Sequence, residues 1–477
     1  MHEELVEAAR SYQSSIDTAL PPMALHHSLT DASEPLEALA MAALSGDMVS
    51  TSEIISVPRR SGGAPRPLTF LHPGTAIAYS GLCSIFSDIA PRRDPRSFDM
   101  FKNHQPEGYE YVVESDIASC YEYVRHDLLR HELLKAAPAR RKQIESLDSL
   151  LHAIYPSNVG LPQMNMSSDQ LADLYIHAIR KRLRLNNLEV TTYADDFRIF
   201  SPDWMAANEA IEALTEAARA YGLVLSQQKT VIFRRETLEA RRRQDYEFWK
   251  AHIVADPSQP AAHFALNPYE RLQSLGPAWD EEGALRLFRT WLSLKRGETD
   301  DKDVVGQGRL YEQYAPLSFR LAASRALLDA EEVSEFAFFS PHHVDMVAHM
   351  FNNEELEADD YLLDSLLSGG RQSSWFRLWL LSVLAARTEE LTPVQEEWLL
   401  TQLEHRHEVV RAEAAWVSAK NELLTHTDLS RTYLRASSVT AHVLAAAAAR
   451  VNVSISRDIM DDGPLNRAAS KWAVQNA

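Results

Sequence analysis

Three aspartates carry the most specific chemistry in this chain. Asp195 and Asp196 stand side by side in TTYADDFRIF (191–200), among Thr, Tyr, Phe and Ile residues that favour strand. Aspartate is depleted in strands and common at turns. The simplest geometry is therefore a tight hairpin with Ala194 to Asp196 at its tip. Asp116 closes another strand-like run within VVESDIASCYEYVRHDLL (112–129), just before a helix expected to begin near Ser119 or Tyr121. Three carboxylates on rigid strands offer the hard oxygen ligands that Mg²⁺ takes. Two such ions ~3.5–4 Å apart clamp the attacking and leaving oxygens of a phosphoryl transfer. A lone Asp pair at a turn usually binds nothing, so the neighbouring segments have to decide.

Those neighbours read as an α+β arrangement. YEYVVESDI (109–117), LEVTTYADDFRIF (188–200) and KTVIF (229–233) have strand character, and helical periodicity fills 125–155, 167–185 and 204–221. Between the two carboxylate segments lies GLPQMNMSSDQLADLY (160–175), a Gly-Leu-Pro-Gln turn leading into a helix.

In that order the segments resemble the palm of a reverse transcriptase. The strand ending in Asp with an aromatic five residues on is matched by Asp116 and Tyr121. The Leu-Pro-Gln turn before a Ser-containing helix is matched by Leu161, Pro162, Gln163, Ser167 and Ser168. The Tyr-x-Asp-Asp hairpin is matched by Tyr193, Asp195 and Asp196, and a later Leu-x-Leu-x-x-x-Lys-Thr element by LVLSQQKT with Lys229. Upstream, RRSGGAPRPLTFLHP (59–73) resembles the fingers segment whose basic residues hold an incoming triphosphate. The resemblance covers roughly 50–235. Each motif alone is weak, but four in order are specific.

The resemblance implies a right-hand polymerase palm and fingers using Mg²⁺, with Mn²⁺ able to substitute. Asp116 and Asp195 would be the principal metal ligands, supported by Asp196 and the Ile117 carbonyl. Gln163 would line the nucleotide pocket. Arg66, with Arg59 or Arg60, would neutralise triphosphate charge, and Lys229 would sit near the leaving pyrophosphate. An aromatic ring at Tyr121 would collide with a ribose 2′-hydroxyl, which points to dNTPs over rNTPs.

The chain departs from the family in two places. Met164 replaces the usual Gly after Pro-Gln, which suggests an altered template path. No primer-grip element follows KTVIF; the chain runs instead into RRETLEARRRQDYEFW and then helices. That combination resembles the bacterial abortive-infection and defence-associated reverse transcriptases. The resemblance implies phage defence, a homo-oligomer and, for some members, template-independent synthesis of single-stranded DNA primed from a protein hydroxyl. Tyr12, Tyr311, Tyr314, Tyr361 and Tyr433 lie outside the motifs and are candidate primers. Two alternatives stand beside this: copying of a partner non-coding RNA, and a catalytically silent palm serving as a protein-binding scaffold.

Composition fits a globular chain of two to four domains: 477 residues, 45% hydrophobic. No run of apolar residues is long enough to span a membrane. The acidic, amphipathic N-terminus lacks the form of a signal peptide. Cys83 and Cys120 are the only cysteines, which excludes a disulfide framework and suits a reducing cytoplasm. The net charge of −19 is unevenly spread: residues 1–50 carry −7, 51–250 carry 0 and 251–477 carry −12. Basic clusters at Arg92, Arg93 and Arg96, at Arg140 to Lys142, at Arg180 to Arg184 and at Arg241 to Arg243 lie in the neutral block, a pattern compatible with phosphate binding.

The linear division expected is a helical segment at 1–50, fingers and palm at 51–240, and an all-α domain at 245–477. In the last of these, PLSFRLAASRALL, SSWFRLWLLSVLAAR, HEVVRAEAAWVSA and SSVTAHVLAAAAARV share a polar-then-Ala/Leu form at irregular spacing, and HEVVRAEAA resembles the second helix of a HEAT repeat. Trp375, Trp379 and Trp416 fall at core spacing. His342, His343, Asp345 and His349 do not make a closed metal ligand set.

Overall fold

A computed structural model describes residues 4, 6–8, 20–47, 51–59, 64–90, 96–253, 280–323, 327–351, 360–369, 372–451 and 454–476. Among them are six strands. β1 (Ser52–Val57) pairs with β2 (Arg66–Leu71) in an antiparallel ladder of its own. β3 (Tyr111–Asp116), β4 (Glu189–Tyr193), β5 (Asp196–Ser201) and β6 (Val231–Arg234) form a second antiparallel sheet in the order β4-β5-β3-β6. All three strand-like stretches of the palm segment are therefore in one sheet. The longest of them splits into β4 and β5 at the expected hairpin.

The chain divides into two compact units, Leu82–Gly283 and a second assembled from Met1–Gly81 with Ala284–Ala477. This differs from the linear division: the N-terminal segment and the β1–β2 hairpin both group with the C-terminal helices. The hairpin's pairing explains why. Glu53 on β1 accepts hydrogen bonds from the backbone N–H groups of Glu408 and Val409, both at 2.8 Å, and lies 3.1 Å from His407 Nδ1. His407 is the N-cap of the Glu408–Lys420 helix and caps nothing with its own side chain. A carboxylate from a distant strand thus satisfies the orphan donors of that helix, where the helix dipole also favours negative charge. Nearby, Glu413 accepts from the N–H groups of Ala24 (3.0 Å) and Leu25 (2.7 Å), and His442 Nε2 lies 2.9 Å from the Leu25 carbonyl. Burial raises the Glu413 carboxyl to about 7 against those two donors.

The helices expected from the sequence are present in this unit as Gly308–Ala323, Ser374–Ala386, Glu408–Lys420 and Ala441–Ala448. No strand occurs after Arg234 among the described residues. Val409, Val410, Ala412, Ala414 and Ala415 are all buried, because small side chains let neighbouring helices approach closely. Arg411 is buried too. Its guanidinium donates to the carbonyls of His405, Arg406 and Arg435, tying off helix and turn ends that would otherwise be unpaired. Trp375, Trp379 and Trp416 are core residues as expected. No helix among the described residues is long and apolar enough to cross a membrane.

In the other unit the four-stranded sheet has two different faces. Val113, Phe197, Ile199 and Val190 are almost wholly inaccessible. Arg180, on the Met166–Leu185 helix, reaches Thr192 on that same side at 3.1 Å. The register puts Val112 opposite Phe200, Glu114 opposite Arg198, and Asp116 opposite Asp196 on the other face. A period of two thus separates a helix-covered apolar face from the face that bears the carboxylates.

Candidate active site

Asp116 and Asp196 are direct cross-strand partners. The Ile117 N–H donates to the Asp195 carbonyl at 3.1 Å, which makes 116 and 196 a non-hydrogen-bonded pair. In such pairs the Cα atoms approach to ~4.5 Å and the side chains lie closest. The hairpin that delivers Asp195 is tighter than expected: Tyr193 pairs with Asp196, so Ala194 and Asp195 alone form the tip. Ala194 takes φ 51°, the left-handed region.

Backbone strain marks the site. Leaving out asparagine, which tolerates positive φ, the described non-glycine residues in that region are Ser119, Met164, Ala194 and Glu422. Three of the four border the motifs: Ser119 three residues after Asp116, Met164 beside Gln163, Ala194 beside Asp195. Such conformations cost roughly 1–3 kcal/mol each and cluster at functional sites. Met164 therefore keeps the backbone conformation that glycine adopts most cheaply.

The turn after the Trp204–Ala220 helix completes the cluster. Ser226 N–H donates to the Asp116 carbonyl at 2.7 Å, and the Ala118 N–H donates to Val224 at 2.9 Å. Thr230 Oγ1 donates to the Ser226 carbonyl and lies 2.9 Å from Ser115 Oγ. This stitching presents Lys229, whose Nζ donates to Asp116 Oδ1 at 2.9 Å. Burial pulls the Lys229 ammonium down, but the hydrogen bond to Asp116 and the charges of Asp116, Asp196 and Asp195 outweigh it and raise it. Asp196 is pushed up to about 7, first by burial, then by the charges of Asp195 and Asp116, with Lys229 and Lys102 opposing.

The donor set tests its fitness for divalent cations. The negative charges of Asp195 and Asp116 that help raise Asp196 would be relieved by added positive charge, and the ligand atoms the three side chains offer are hard oxygens. As the side chains stand, no three acidic, His or Cys residues among the described ones enclose a single point, and Lys229 occupies one oxygen of Asp116. The chemistry of the cluster fits divalent metal, with Lys229 as the group that would have to yield.

Residues 80–258 match the family model described as reverse transcriptase (RNA-dependent DNA polymerase). The chain contains a reverse-transcriptase domain. It is thereby an enzyme, a nucleotidyltransferase of the polymerase type, whose substrates are nucleotides and nucleic acid. No curated protein matches the chain.

Within the reverse-transcriptase domain, Tyr121 is half-buried and its hydroxyl donates to Asp169 Oδ1 at 2.5 Å. Asp169 lies in the first turn of the Met166–Leu185 helix. Gln163 is buried. Its loop is fixed by the Leu161 N–H to the Tyr121 carbonyl, 2.8 Å, and the Gly160 N–H to Val124, 2.9 Å. Gly160 itself has φ 109°, a value open to glycine alone. The Leu-Pro-Gln turn and the Tyr121 segment are thus one hydrogen-bonded piece. Arg59 and Arg66 belong to the β1–β2 hairpin of the other unit and precede the matched residues. Arg66 is exposed. Arg60, Arg92, Arg93 and Tyr12 lie outside the described residues.

Two residues of the domain were missed by sequence reading. Asp169 reads as an ordinary first-turn acid, and nothing local signals its tie to Tyr121. Arg198 carried a signal, a cation inside the apolar run FRIF. It is buried, pairs with Glu114 at 2.6 Å, and donates to the carbonyls of Phe101 and Lys102. It thereby fastens the Arg96–Asn103 helix, whose Phe98 packs edge-on against Tyr193 at 5.0 Å, over the carboxylate hairpin.

Proposed function

We propose that this protein is a divalent-metal-dependent DNA polymerase acting in antiphage defence. The observation that carries the catalytic part is the convergence of Asp116, Asp195 and Asp196 with Lys229 at one end of the sheet. Two Mg²⁺ or Mn²⁺ ions, when bound, would supply the clamp on attacking and leaving oxygens. The chain's own part is to hold them with the three carboxylates and the Ile117 carbonyl. Gln163 and Tyr121 would shape the nucleotide pocket, and Lys229 would turn from Asp116 to the leaving pyrophosphate. The defence role and the homo-oligomer rest on resemblance to abortive-infection reverse transcriptases.

The test is incubation of purified protein with Mg²⁺ or Mn²⁺ and labelled dNTPs, without nucleic acid and with an RNA template in parallel. Incorporation should occur, and Asp116→Ala or Asp195→Ala with Asp196→Ala should bring it to background while the circular-dichroism spectrum is kept. Incorporation by the folded double variant refutes the assignment. One observation favours the second reading, a silent palm: the Lys229–Asp116 ion pair already neutralises one carboxylate. Under that reading the wild type incorporates nothing, and added Mn²⁺ leaves its melting temperature unchanged.

Priming from a side chain is the finer part of the proposal. Among the candidate tyrosines, Tyr311 and Tyr314 are buried, and the Tyr433 hydroxyl donates to Asp462 at 2.5 Å. Tyr361 is 72% exposed and is the accessible one of the four. Protein recovered from cells with active polymerase should migrate above 53.8 kDa until treated with DNase. Migration at that mass in both lanes rules out covalent attachment.

A further inference from the structure

The Met166–Leu185 helix has a function to offer at its far end. His177, Arg180, Lys181, Arg184 and Leu185 line an open cavity of about 330 Å³ with no acidic side chain on its wall. The helix lies on the sheet face opposite the carboxylates. Arg180 Nη1 donates to Thr192 Oγ1 at 3.1 Å and Arg184 Nη2 to the Val190 carbonyl at 3.2 Å, both on β4. β4 is an edge strand of its sheet, so the cavity sits at that edge, on the face opposite Asp116 and Asp196.

The arrangement is costly as it stands. Arg180 and Arg184 are four residues apart, and Lys181 and Arg184 three, so like charges meet on one helix face. Arg180 Nε is buried and finds no acceptor among the described residues. Arg180 lies 2.5 Å from His177 Nδ1. Burial, then Arg184, lowers the Arg180 guanidinium, with Asp173 offsetting a part. Burial, then Arg180, Arg184 and Lys181, lowers His177. Closeness to the helix C-terminus favours cations in the last turn, but that accounts neither for the unpaired Nε nor for His177 and Arg180, which lie further back. Leu185, 74% exposed, adds an apolar surface beside the cations. A cluster of cations with no acidic neighbour on its wall is what the backbone phosphates of a nucleic-acid strand require.

We infer that the His177–Arg180–Lys181–Arg184 cavity at the β4 edge binds backbone phosphates of a nucleic-acid strand, at a place separate from the polymerising carboxylates. The identity of the strand rests on the polymerase reading; the anion site does not. Such a contact would hold template or product on the back of the domain while the front synthesises.

The test is binding of a fluorescent single-stranded oligonucleotide to the full chain, by anisotropy across a salt series. It is done in the Asp195→Ala, Asp196→Ala background as well as the wild type, so that failure of catalysis and failure of this site are read separately. Lys181→Ala with Arg184→Ala should weaken binding about tenfold at low salt, and losing two phosphate contacts should reduce the slope of log K against log salt by about 1.4. Lys181→Arg with Arg184→Lys should restore both. Unchanged affinity and slope in a folded alanine variant overturn the inference. Inorganic phosphate, titrated calorimetrically, is the other source of the same chemistry. If the alanine pair abolishes phosphate binding and leaves the oligonucleotide unaffected, the site takes free phosphate and the inference is wrong.

Discussion

Tyr121 carries two attachments with different consequences. Under the proposed function its ring would block a ribose 2′-hydroxyl, and its hydroxyl is tied to Asp169. The two roles separate by substitution. Tyr121→Ala removes the ring and should raise rNTP use relative to dNTP use by about tenfold or more, the order expected when a close steric contact worth ~1–3 kcal/mol is lost. Tyr121→Phe keeps the ring and breaks one hydrogen bond, so it should cost about 1 kcal/mol of stability and leave the sugar ratio nearly unchanged. The measurement is single-nucleotide incorporation with paired dNTP and rNTP. Equal effects of Ala and Phe on the ratio would make Tyr121 structural and remove the main support for dNTPs. Met164 carries a similar lesson: at φ 56° its backbone lies in the left-handed region that glycine adopts most cheaply.

At the scale of elements, the β1–β2 hairpin shows how a helix end is completed from far away. Glu53 serves two N–H donors of the Glu408–Lys420 helix, and no nearer side chain of the N-cap does. Glu53→Ala leaves both donors without the carboxylate and should lower stability by about 1–3 kcal/mol. Glu53→Gln keeps one acceptor oxygen and should fall between. Thermal unfolding reads the loss, and hydrogen exchange should show it concentrated in 52–71 and the first turn at 408. A melting temperature within experimental error of the wild type would mean that solvent satisfies those donors just as well. Strand and helix positions in the palm segment were legible from the sequence because one face of each element is apolar and the period declares itself. The hairpin's partner was not, since a lone Glu in SEIISV (52–57) looks like any solvated strand residue.

For the whole molecule, the division of the chain changes what a truncation means. Residues 1–81 and 284–477 form one compact unit, in which Glu413 and His442 hold the Ala24–Leu25 backbone. Cutting at about residue 245 therefore removes the surface against which the N-terminal segment and β1–β2 are ordered. The 1–245 fragment should lack activity, and proteolysis should trim it from the N-terminus while sparing 96–245. A soluble, fully active 1–245 fragment would contradict this. Glu413 adds a pH signature to the intact chain. Its folded carboxyl titrates near 7 and the unfolded one near 4.5, so the folded state binds the proton more tightly. Its contribution is complete below 4.5 and lost as pH rises through 7. Buried His442, lowered to about 4, works in reverse: its contribution is complete above 6.5 and lost as pH falls towards 4.

The sequence by itself determined the order of the palm elements, the three aspartates and the polymerase class. Those follow from short-range facts: strand periodicity, an Asp pair that strands reject, and motifs in a fixed succession. Tertiary structure alone decided that Asp116 faces Asp196, that Lys229 reaches Asp116, that Asp169 holds Tyr121, and that β1–β2 joins the C-terminal helices. Each of these joins residues 48 or more positions apart by chain pairing and packing, and nothing in the local pattern of either partner encodes the other.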